Sequence, residues 1–522
     1  MGTALVCGAA LGGSFVDFRL WALPWIAVAP LLALAERVRP KRALVLGWLA
    51  GTTGIGLAFS WLVYAIRVFG GFPPPVAALL YAPVAISMGF QLALFLGLVA
   101  WLGPTPLGLG APLAFVALEL LFPKLFPWHL ANSQYRVVVL LQSGELAGPY
   151  LLSFAIVWAN VALLALARFI RTRPGRAGAA EVATPSRATI GAPLALVALL
   201  VVAGAWRLDT ARAARDRAPA LRVAVVQGNI SVEHKGNRAY FGRNLDAYRE
   251  ASRAVAGDVD LLIWPETVFQ HDLDTSLTRL AGDDDPFPDA PRPLLFGGLA
   301  VTGGPGMSLR VHNSAFLRDV DARIAGRYDK RVLVPFGEYM PLGDRFPWLR
   351  TLSPGTSNFT AGAEPTVLSA GAALLGPLIC YEDVIPGPAR EAVARGATLL
   401  VNLTNDAWYG DGAEPLQHQA LAVWRAVETR RDLIRATNTG LTSVIAASGD
   451  VLGELPTFRA DTLVSGVRTL RTTTVYGEAG DVFAWGVVVA TVALGAARWG
   501  RERRLRRSEP AARPRPRRRR RR

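Results

Sequence analysis

Eight apolar runs constrain the fold of this chain more than any other feature of its sequence. An α-helix needs about 20 apolar residues to cross the hydrocarbon core of a bilayer, and most of the runs approach that length. The runs predict eight transmembrane helices, at Thr3–Val16, Trp21–Ala35, Ala43–Ile66, Val76–Leu102, Leu107–Phe122, Leu146–Ala167, Ile190–Trp206 and Val482–Ala497. The composition agrees, because 52% of the 522 residues are hydrophobic and only 18% are charged. We therefore expect a polytopic α-helical membrane domain.

Basic residues in the short loops predict how these helices are oriented. Lysine and arginine are enriched in the cytoplasmic loops of membrane proteins. The loops after runs two, six and eight carry such residues, at Arg37, Arg39, Lys41, Arg42, Arg168, Arg171, Arg173, Arg176 and Arg498. Both termini are therefore predicted to be cytoplasmic, with the segment between runs seven and eight outside. Long domains are translocated largely regardless of charge, so the prediction stands despite four arginines after run seven, at Arg207, Arg212, Arg215 and Arg217.

The segment between runs seven and eight has the pattern of an α/β domain. It is polar, and it contains short strand-like runs at Leu221–Val226, Leu261–Trp264, Leu294–Gly297, Ser314–Leu317, Leu374–Ile379, Thr398–Asn402 and Thr442–Ala446. Helical patterns at Arg243–Val255 and Leu416–Arg431 fall between some of them. The predicted order is a seven-helix bundle (1–206), a linker (207–220), an extracytoplasmic catalytic domain (221–474), a final transmembrane helix (482–498) and an Arg/Pro-rich cytoplasmic tail (499–522).

A cysteine at the end of one predicted strand is the leading candidate for a nucleophile. The run Leu374–Ile379 leads into Cys380, and a helical pattern begins at Ala389–Ala394. Backbone N–H groups at such a turn lower the pKa of a thiol and can bind an oxyanion. The alternative is that Cys380 is a small buried hydrophobe, as most free cysteines are. Cys7 lies far away and the five histidines lack metal-ligand spacing, so we expect no disulfide, metal or other cofactor.

Charged residues follow several other predicted strands. Glu266 comes directly after one strand, and Lys330 and Glu338 lie between two later ones. Because ligands bind beyond the carboxyl ends of strands in open α/β sheets, these residues are expected to converge on Cys380. The carboxylate of Glu266 would take the thiol proton, and the ammonium of Lys330 would stabilise an oxyanion. Taken singly, each residue is more often structural, as a helix cap, a solvated charge or a loop ion pair.

Several motifs resemble known families. Four of them resemble the Glu-Lys-Cys signature of the nitrilase (carbon–nitrogen hydrolase) superfamily, namely Trp264-Pro265-Glu266-Thr267, Tyr328-Asp329-Lys330, Pro335-Phe336-Gly337-Glu338 and Ile379-Cys380-Tyr381-Glu382. Further segments resemble the membrane-embedded apolipoprotein N-acyltransferases of that superfamily, at Val225–Ile230, Asn402–Gly410, Glu428–Arg431 and Ile434–Gly440. This second resemblance covers nearly the whole chain apart from the Arg/Pro tail.

The resemblance implies a fold and a role for each motif residue. The catalytic domain would be a nitrilase-like αββα sandwich. Glu266 would be the general base, Lys330 the oxyanion stabiliser and Cys380 the nucleophile. Supporting residues would be Glu338, Tyr381 and Glu382, with the Tyr381 backbone N–H as an oxyanion donor. The chain departs from the family after Lys235, where it has Gly236 in place of a common Trp, which puts an aromatic substrate contact there in doubt.

The resemblance also implies the reaction and its partners. A fatty acyl chain would pass from a phospholipid, typically phosphatidylethanolamine, through a Cys380 thioester. Its acceptor would be the α-amino group of the S-diacylglyceryl-cysteine that begins an apolipoprotein, in the last step of lipoprotein maturation. The enzyme would work as a monomer in the bacterial inner membrane, with its catalytic domain in the periplasm and no nucleic acid partner. Candidate lid or lipid contacts are Phe346, Trp348, Trp408 and Tyr409.

Three alternatives remain open from the sequence. A membrane-anchored amidase would use the same thioester with water as its acceptor. A non-catalytic membrane protein would use the basic tail, Arg501–Arg522, to recruit nucleic acid or anionic lipid. A cysteine–histidine enzyme would use His418 as the base for Cys380.

Overall fold

The computed structural model describes residues 1–171, 186–303, 309–352 and 356–508. Among the described residues before the α/β domain, the regular elements are all helices, because apolar runs in helices satisfy their backbone hydrogen bonds internally. The helices are α1 (Gly2–Val16), α2 (Pro24–Ala35), α3 (Pro40–Ala58), α4 (Leu62–Gly70), α5 (Pro74–Leu102), α6 (Gly110–Leu121), α7 (Val138–Leu141), α8 (Gly144–Ala147), α9 (Tyr150–Arg171) and α10 (Arg187–Arg217).

Not all of the predicted spans have the length of a membrane crossing. Among the described residues, four helices are long and apolar enough, namely α5, α9, α10 and the final helix, Val482–Ser508. A fifth is reached if α3 and α4, which are bent by 56°, count as one span. Helices α1, α2 and α6 coincide with three other runs but have 15, 12 and 12 residues, shorter than the roughly 20 residues that span the core. Eight crossings therefore stay a prediction.

The third predicted run, Ala43–Ile66, is not one straight helix. The chain bends between α3 and α4, where Phe59 and Trp61 face the α/β domain. Trp61 Nε1 donates to Gln417 Oε1 at 3.0 Å, and its ring meets Tyr409 edge-on at 5.2 Å. The bend places Trp61 against the α/β domain, a contact that local hydropathy does not reveal.

The α/β domain contains every strand that was predicted, and others besides. Its strands are β1 (Ala220–Gln227), β2 (Leu261–Ile263), β3 (Phe269–Asp274), β4 (Leu294–Thr302), β5 (Arg310–Arg318), β6 (Ile324–Asp329), β7 (Leu368–Ala370), β8 (Ala373–Ile379), β9 (Leu399–Thr404), β10 (Leu433–Thr437), β11 (Ser443–Ile445), β12 (Val451–Glu454) and β13 (Asp461–Arg468). The predictions missed β3, β6, β7, β10, β12 and β13. Strands β6, β12 and β13 are only partly buried, so they lack the dense apolar runs that mark buried strands.

These strands form two mixed sheets. The first has the order β13-β1-β2-β4-β5-β6, with β3 beside β4, and the second has the order β12-β11-β10-β9-β8-β7. Strands β8, β9 and β10 are parallel, so their carboxyl ends share one edge of the second sheet. The inner faces of the sheets pack on each other through side chains such as Val225, Ile263, Leu375 and Val401.

Helices cover the outer face of each sheet. The helices of this region are α11 (Val232–Lys235), α12 (Phe241–Val255), α13 (Leu349–Leu352), α14 (Pro386–Ala394), α15 (Glu414–Thr429) and α16 (Val475–Ala479). Leu245 and Tyr248 of α12 pack on the first sheet. Helices α14 and α15 cover the second sheet and share one apolar core with the bundle, which includes Ala389, Val423 and Leu141. The expected αββα sandwich is confirmed, and its α14–α15 layer stands on the bundle.

The structure corrects the predicted linker at 207–220. Helix α10 continues through Arg217, and three of its arginines make ion pairs with carboxylates of the bundle and the α/β domain. The pairs are Arg207 with Glu145 at 2.5 Å, Arg212 with Asp450 at 2.6 Å and Arg215 with Asp432 at 2.9 Å. The basic cluster that opposed the loop-charge pattern is therefore largely neutralised by folding.

The final helix, α17 (Val482–Ser508), is longer than the predicted span Val482–Ala497. It packs on the bundle through Ala484 and Val487. Residues 499–508 of the predicted tail are helical, and residues 509–522 lie outside the described residues.

Candidate active site

Cys380 lies where a buried strand turns toward a helix. Strand β8 ends at Ile379, a one-and-a-half-turn 3₁₀ segment spans Cys380–Val384, and α14 begins at Pro386. The backbone of Cys380 has a φ of 49°, in the left-handed region that is strained for a residue with a side chain. The strand-to-helix turn predicted from the sequence is confirmed, and its strain marks Cys380 as a candidate functional residue.

Glu266 follows β2 in the first sheet and is 8% exposed. A Cβ atom on Gly297 would lie 2.6 Å from the Cα of Glu266 and 2.5 Å from the backbone nitrogen of Thr267. Glycine at position 297 therefore allows this backbone to lie directly against β4. Thr267 itself has a φ of 47°, so the chain turns sharply just after the carboxylate.

Lys330 and Glu338 complete a buried group with Glu266. Lys330 Nζ lies 2.8 Å from Glu338 Oε2 and 3.8 Å from Glu266 Oε1. Asn313 Nδ2 donates to Glu266 Oε1 at 2.7 Å and to Glu338 Oε1 at 3.0 Å. We call Glu266, Lys330, Glu338 and Cys380 the reaction cluster.

The charges of the reaction cluster act on each other. Burial raises the pKa of the Cys380 thiol to about 12, and the carboxylate of Glu266 adds to that effect while Lys330 opposes it. Burial also raises the pKa of Glu266. Burial alone would lower the pKa of Lys330, but the negative charges of Glu338, Cys380 and Glu266 raise it above its usual value. The thiol is therefore neutral at pH 7 and needs a base, and Glu266 has the raised pKa suited to that task.

Glu382 forms hydrogen bonds that stabilise the turn around Cys380, rather than contacting the thiol. Its carboxylate accepts hydrogen bonds from the Tyr328 hydroxyl at 2.8 Å and from the backbone N–H groups of Arg331 at 2.8 Å and Val332 at 3.0 Å. It also accepts from the N–H of Ile379 at 2.8 Å. These bonds tie the Cys380 turn to the segment that carries Lys330, so Glu382 fixes their relative position.

The pocket beside Cys380 is built from both parts of the molecule. The catalytic domain contributes Tyr381, Tyr409 and His418, among others. The bundle contributes three aromatic residues, Phe59, Trp61 and Phe126. The Tyr381 hydroxyl donates to the backbone carbonyl of Leu125 in the bundle. The thiol thus faces an apolar slot whose far wall is the helical bundle.

The four predicted aromatic contacts fall into two groups. Tyr409 lines the pocket, and Trp408 lies in the same short turn, Asp406–Tyr409. Phe346 and Trp348 are not among the residues that line the pocket, and they are 44% and 60% exposed. The structure therefore places Tyr409 in the pocket, Trp408 next to it in the chain, and Phe346 and Trp348 on an outer loop.

Five charged residues form a second buried group behind the Cys380 turn. They are Asp383, Asp406, Glu414, His418 and Arg435, which we call the anchor cluster. His418 Nε2 lies 2.7 Å from Asp383 Oδ1, and His418 Nδ1 lies 3.1 Å from Asp406 Oδ1. Arg435 Nε donates to Asp383 Oδ2 at 3.1 Å. Burial would lower the pKa of His418, but Asp383 and the other carboxylates raise it well above its usual value.

This arrangement argues against His418 as the base for Cys380. Both ring nitrogens point at carboxylate oxygens, so the imidazolium form satisfies them and leaves no nitrogen free for the thiol. Asp406, Glu414 and His418 also offer ligand atoms within 4.8 Å of one another, which is close enough for a cation. The guanidinium of Arg435, 3.9 Å from Asp406 Oδ2, already supplies positive charge there. Hydrogen bonds and ion pairs between these side chains therefore account for the group.

Sequence reasoning missed two residues of the site. Asn313, which bridges the two carboxylates, precedes the predicted strand Ser314–Leu317 and was not singled out; its only signal is a polar residue at the start of an apolar run. Lys235 was noted only for its neighbour, Gly236. Its Nζ donates to the backbone carbonyl of Glu266 at 2.8 Å.

Comparison with known proteins identifies both parts of the chain. Residues 7–162 match the family model described as the apolipoprotein N-acyltransferase N-terminal domain, and residues 290–474 match the carbon–nitrogen hydrolase model. Among solved structures, a mutant amidase of the nitrilase superfamily from Nesterenkonia AN1 is 24% identical, with a TM-score of 0.36 over 48% of this chain and 90% of that one.

Curated relatives match over almost the full length. The apolipoprotein N-acyltransferase of Geobacter metallireducens is 34% identical over 513 residues, which cover 94% of each protein. That of Azotobacter vinelandii is 32% identical over 91% of this chain and 90% of the relative. That of Pseudomonas aeruginosa is 33% identical over 93% and 95%. The chain therefore belongs to the apolipoprotein N-acyltransferase family.

Proposed function

We propose that this chain transfers a fatty acyl group from a phospholipid to the α-amino group of an S-diacylglyceryl-cysteine at the N-terminus of an apolipoprotein. The family relationship supports lipoprotein N-acylation and favours it over the water-using amidase and the non-catalytic alternative. Phosphatidylethanolamine as the donor, and action as a monomer, are part of the proposal.

One observation carries the proposal. The pocket at Cys380 is walled by Phe59, Trp61 and Phe126 of the helical bundle. An enzyme that hydrolyses small soluble amides has no need of such a wall. A thiol that must meet acyl chains held in a bilayer does, because its substrate never leaves the apolar phase.

In the first half-reaction, we assign Glu266 as the base that takes the proton from Cys380 Sγ. The sulfur attacks the ester carbonyl carbon, and the resulting oxyanion is stabilised by the Lys330 ammonium and the Tyr381 backbone N–H. When the intermediate collapses, the C–O bond breaks and the lysophospholipid oxygen takes the proton from Glu266. The product is an acyl thioester on Cys380.

In the second half-reaction, the neutral α-amine of the acceptor attacks the thioester carbon. Glu266 takes a proton from the attacking nitrogen, and the same donors hold the second oxyanion. The C–S bond then breaks, and Glu266 returns the proton to the sulfur. Glu338 keeps Lys330 in place throughout, since the two groups lie 2.8 Å apart.

The placement in the cell is also proposed. The apolar helices and bacterial relatives support a bacterial membrane protein. The family resemblance implies the inner membrane, and loop charge favours a catalytic domain in the periplasm with both termini in the cytoplasm. Apolipoprotein N-termini would then reach the pocket from the periplasmic side of the membrane, where the catalytic domain lies.

Intact mass of protein purified from membranes tests the function directly. The wild type incubated with phosphatidylethanolamine should gain one fatty-acyl increment, and a diacylglyceryl-cysteinyl peptide should discharge it. Cys380→Ala should gain nothing. The matched control is Cys7→Ala, which removes the other cysteine of the chain and should acylate like the wild type.

Other outcomes would change the assignment. An increment that is discharged by water but not by the peptide would point to the amidase. A fatty-acyl increment on Cys380→Ala, or none on the wild type, would contradict the assignment of Cys380 as the nucleophile.

A further inference from the structure

Lys235 brings a second ammonium group to the edge of the reaction cluster. It ends the short helix α11, which follows β1. Its side chain is half-buried, and its Nζ donates to the backbone carbonyl of Glu266 at 2.8 Å. The charged groups that act on this ammonium are Glu266 and Cys380. It therefore lies against the backbone of Glu266, close enough to Glu266 and Cys380 for the charges of these groups to act on each other.

Without Lys235, the reaction cluster would contain two carboxylates but only one ammonium group. Glu266 and Glu338 are two carboxylates, and Lys330 is one ammonium that lies closer to Glu338 than to Glu266. A buried carboxylate without a nearby cation binds a proton and loses its function as a base. Lys235 supplies the second positive charge that balances the group.

Other charged groups nearby are already paired. His418 acts on Cys380, but its ring nitrogens face Asp383 and Asp406. Glu382 is satisfied by backbone N–H groups and a tyrosine hydroxyl. Tyr409 faces Cys380 as a neutral phenol, since burial holds its pKa well above the usual value. Lys235 is thus the cation whose removal would leave Glu266 under-compensated.

We propose that Lys235 is a positioning residue for the proton transfer, acting through its charge to keep Glu266 ionised while Cys380 carries the proton. Glu266 and Cys380 share one proton in the active state, because the carboxylate must be empty to receive the proton of the thiol. Without Lys235, the pair would take up a second proton from solvent at neutral pH. That proton would have to leave before Glu266 could deprotonate Cys380.

The proposal rests on the proposed function but can be tested apart from it. Iodoacetamide is a thiol reagent that needs no acyl donor, and peptide mass distinguishes alkylation of Cys380 from that of Cys7. We would measure the alkylation rate from pH 5 to 9 for the full-length wild type, Lys235→Met, Lys235→Gln and Lys235→Arg. Thioester formation from phosphatidylethanolamine would be measured on the same samples.

A charge effect gives a defined pattern. In Lys235→Met and Lys235→Gln the pH of half-maximal alkylation should rise by about one unit, and the rate at pH 7 should fall about ten-fold. Lys235→Arg should restore both. Burial lowers the pKa of Lys235 to about 8, so the wild-type advantage should shrink above that pH while the Lys235→Arg advantage persists. The control Arg238→Met removes an exposed cation of the same loop and should leave the profile unchanged.

Several results would overturn the proposal. One is a Lys235→Gln profile that matches the wild type, since glutamine keeps a donor for the Glu266 carbonyl but carries no charge. Another is a Lys235→Arg profile as impaired as that of Lys235→Met, which would indicate packing. A wild type that alkylates normally but forms no thioester would instead contradict the proposed function.

Discussion

The reaction cluster and the anchor cluster contain the same kinds of buried charge but differ in how fully they are paired. In the anchor cluster, Asp383 contacts both His418 and Arg435 at hydrogen-bond distance. In the reaction cluster, the Glu266 carboxylate lies 3.8 Å from the Lys330 ammonium, and the thiol faces a pocket. The clusters meet at one turn, since Cys380 and Asp383 are three residues apart. Paired charges hold this turn in place, and the loosely paired carboxylate is the one that we propose as the base.

The largest effect should come from the base of the reaction cluster. Glu266→Gln keeps an acceptor for Asn313 but cannot take a proton. Acyl-thioester formation should fall about 10²–10⁴-fold, with little change in the thermal midpoint. The rate is measured by intact mass and the midpoint in the same detergent. A Glu266→Gln variant that acylates at the wild-type rate would mean that another group deprotonates the thiol.

The anchor cluster should show the opposite response, a loss of stability. Asp383→Asn leaves His418 and Arg435 without their shared carboxylate, which should cost about 3–5 kcal/mol because both cations are buried. The thermal midpoint should fall clearly. The matched control is Asp450→Asn, whose partner Arg212 is 49% exposed and whose pair should contribute less than about 1 kcal/mol. Equal losses of stability in the two variants would contradict the expected difference between buried and surface ion pairs.

Glu414 makes the stability of the anchor cluster depend on pH. Burial, with the charge of Asp406, raises its pKa to about 7, above the value of an unfolded glutamate. The stability linked to its protonated form is fully present below about pH 4.5 and is lost as the pH rises through about 7. Glutamine at this position stays neutral at every pH. The free energy of unfolding of Glu414→Gln should therefore exceed that of the wild type by a difference that grows from pH 5 to 8 and reaches about 1–3 kcal/mol. The thermal midpoint at each pH measures this difference.

A control isolates the buried carboxylate in this experiment. Glu364→Gln removes a carboxylate that is 73% exposed, and its midpoint should follow the wild type at every pH. If Glu414→Gln shows a constant offset instead of a growing one, Glu414 does not titrate in this range.

The smallest effect should come from the outer aromatics. Replacing Phe346 and Trp348 with Ser should slow acyl transfer only a few-fold and leave the midpoint unchanged, because both side chains are largely exposed. Tyr409→Ser, inside the pocket, should slow it more. Normal acylation by the Phe346 and Trp348 variants would remove these two residues as lid or lipid contacts.

Strong local patterns explain what could be predicted. The run Leu374–Ile379 is apolar because β8 is a buried inner strand, paired on both sides by β7 and β9. The motif residues Glu266, Lys330 and Glu338 were identified through resemblance, and the structure brings them together. Edge strands such as β6 and β13 were missed because half-buried strands carry a weaker apolar pattern.

The sequence by itself determined the two-part organisation of this protein, since the apolar runs and the α/β pattern are local. Its short motifs carried the resemblance that implied the αββα sandwich and the Glu-Lys-Cys group. Only the tertiary structure decided which charges are free to react. Asn313 bridges two carboxylates, Lys235 reaches Glu266 from another segment, and Trp61, at the bend between α3 and α4, lines the pocket. These contacts join residues that are distant in the chain, and no local pattern encodes a distance between two side chains.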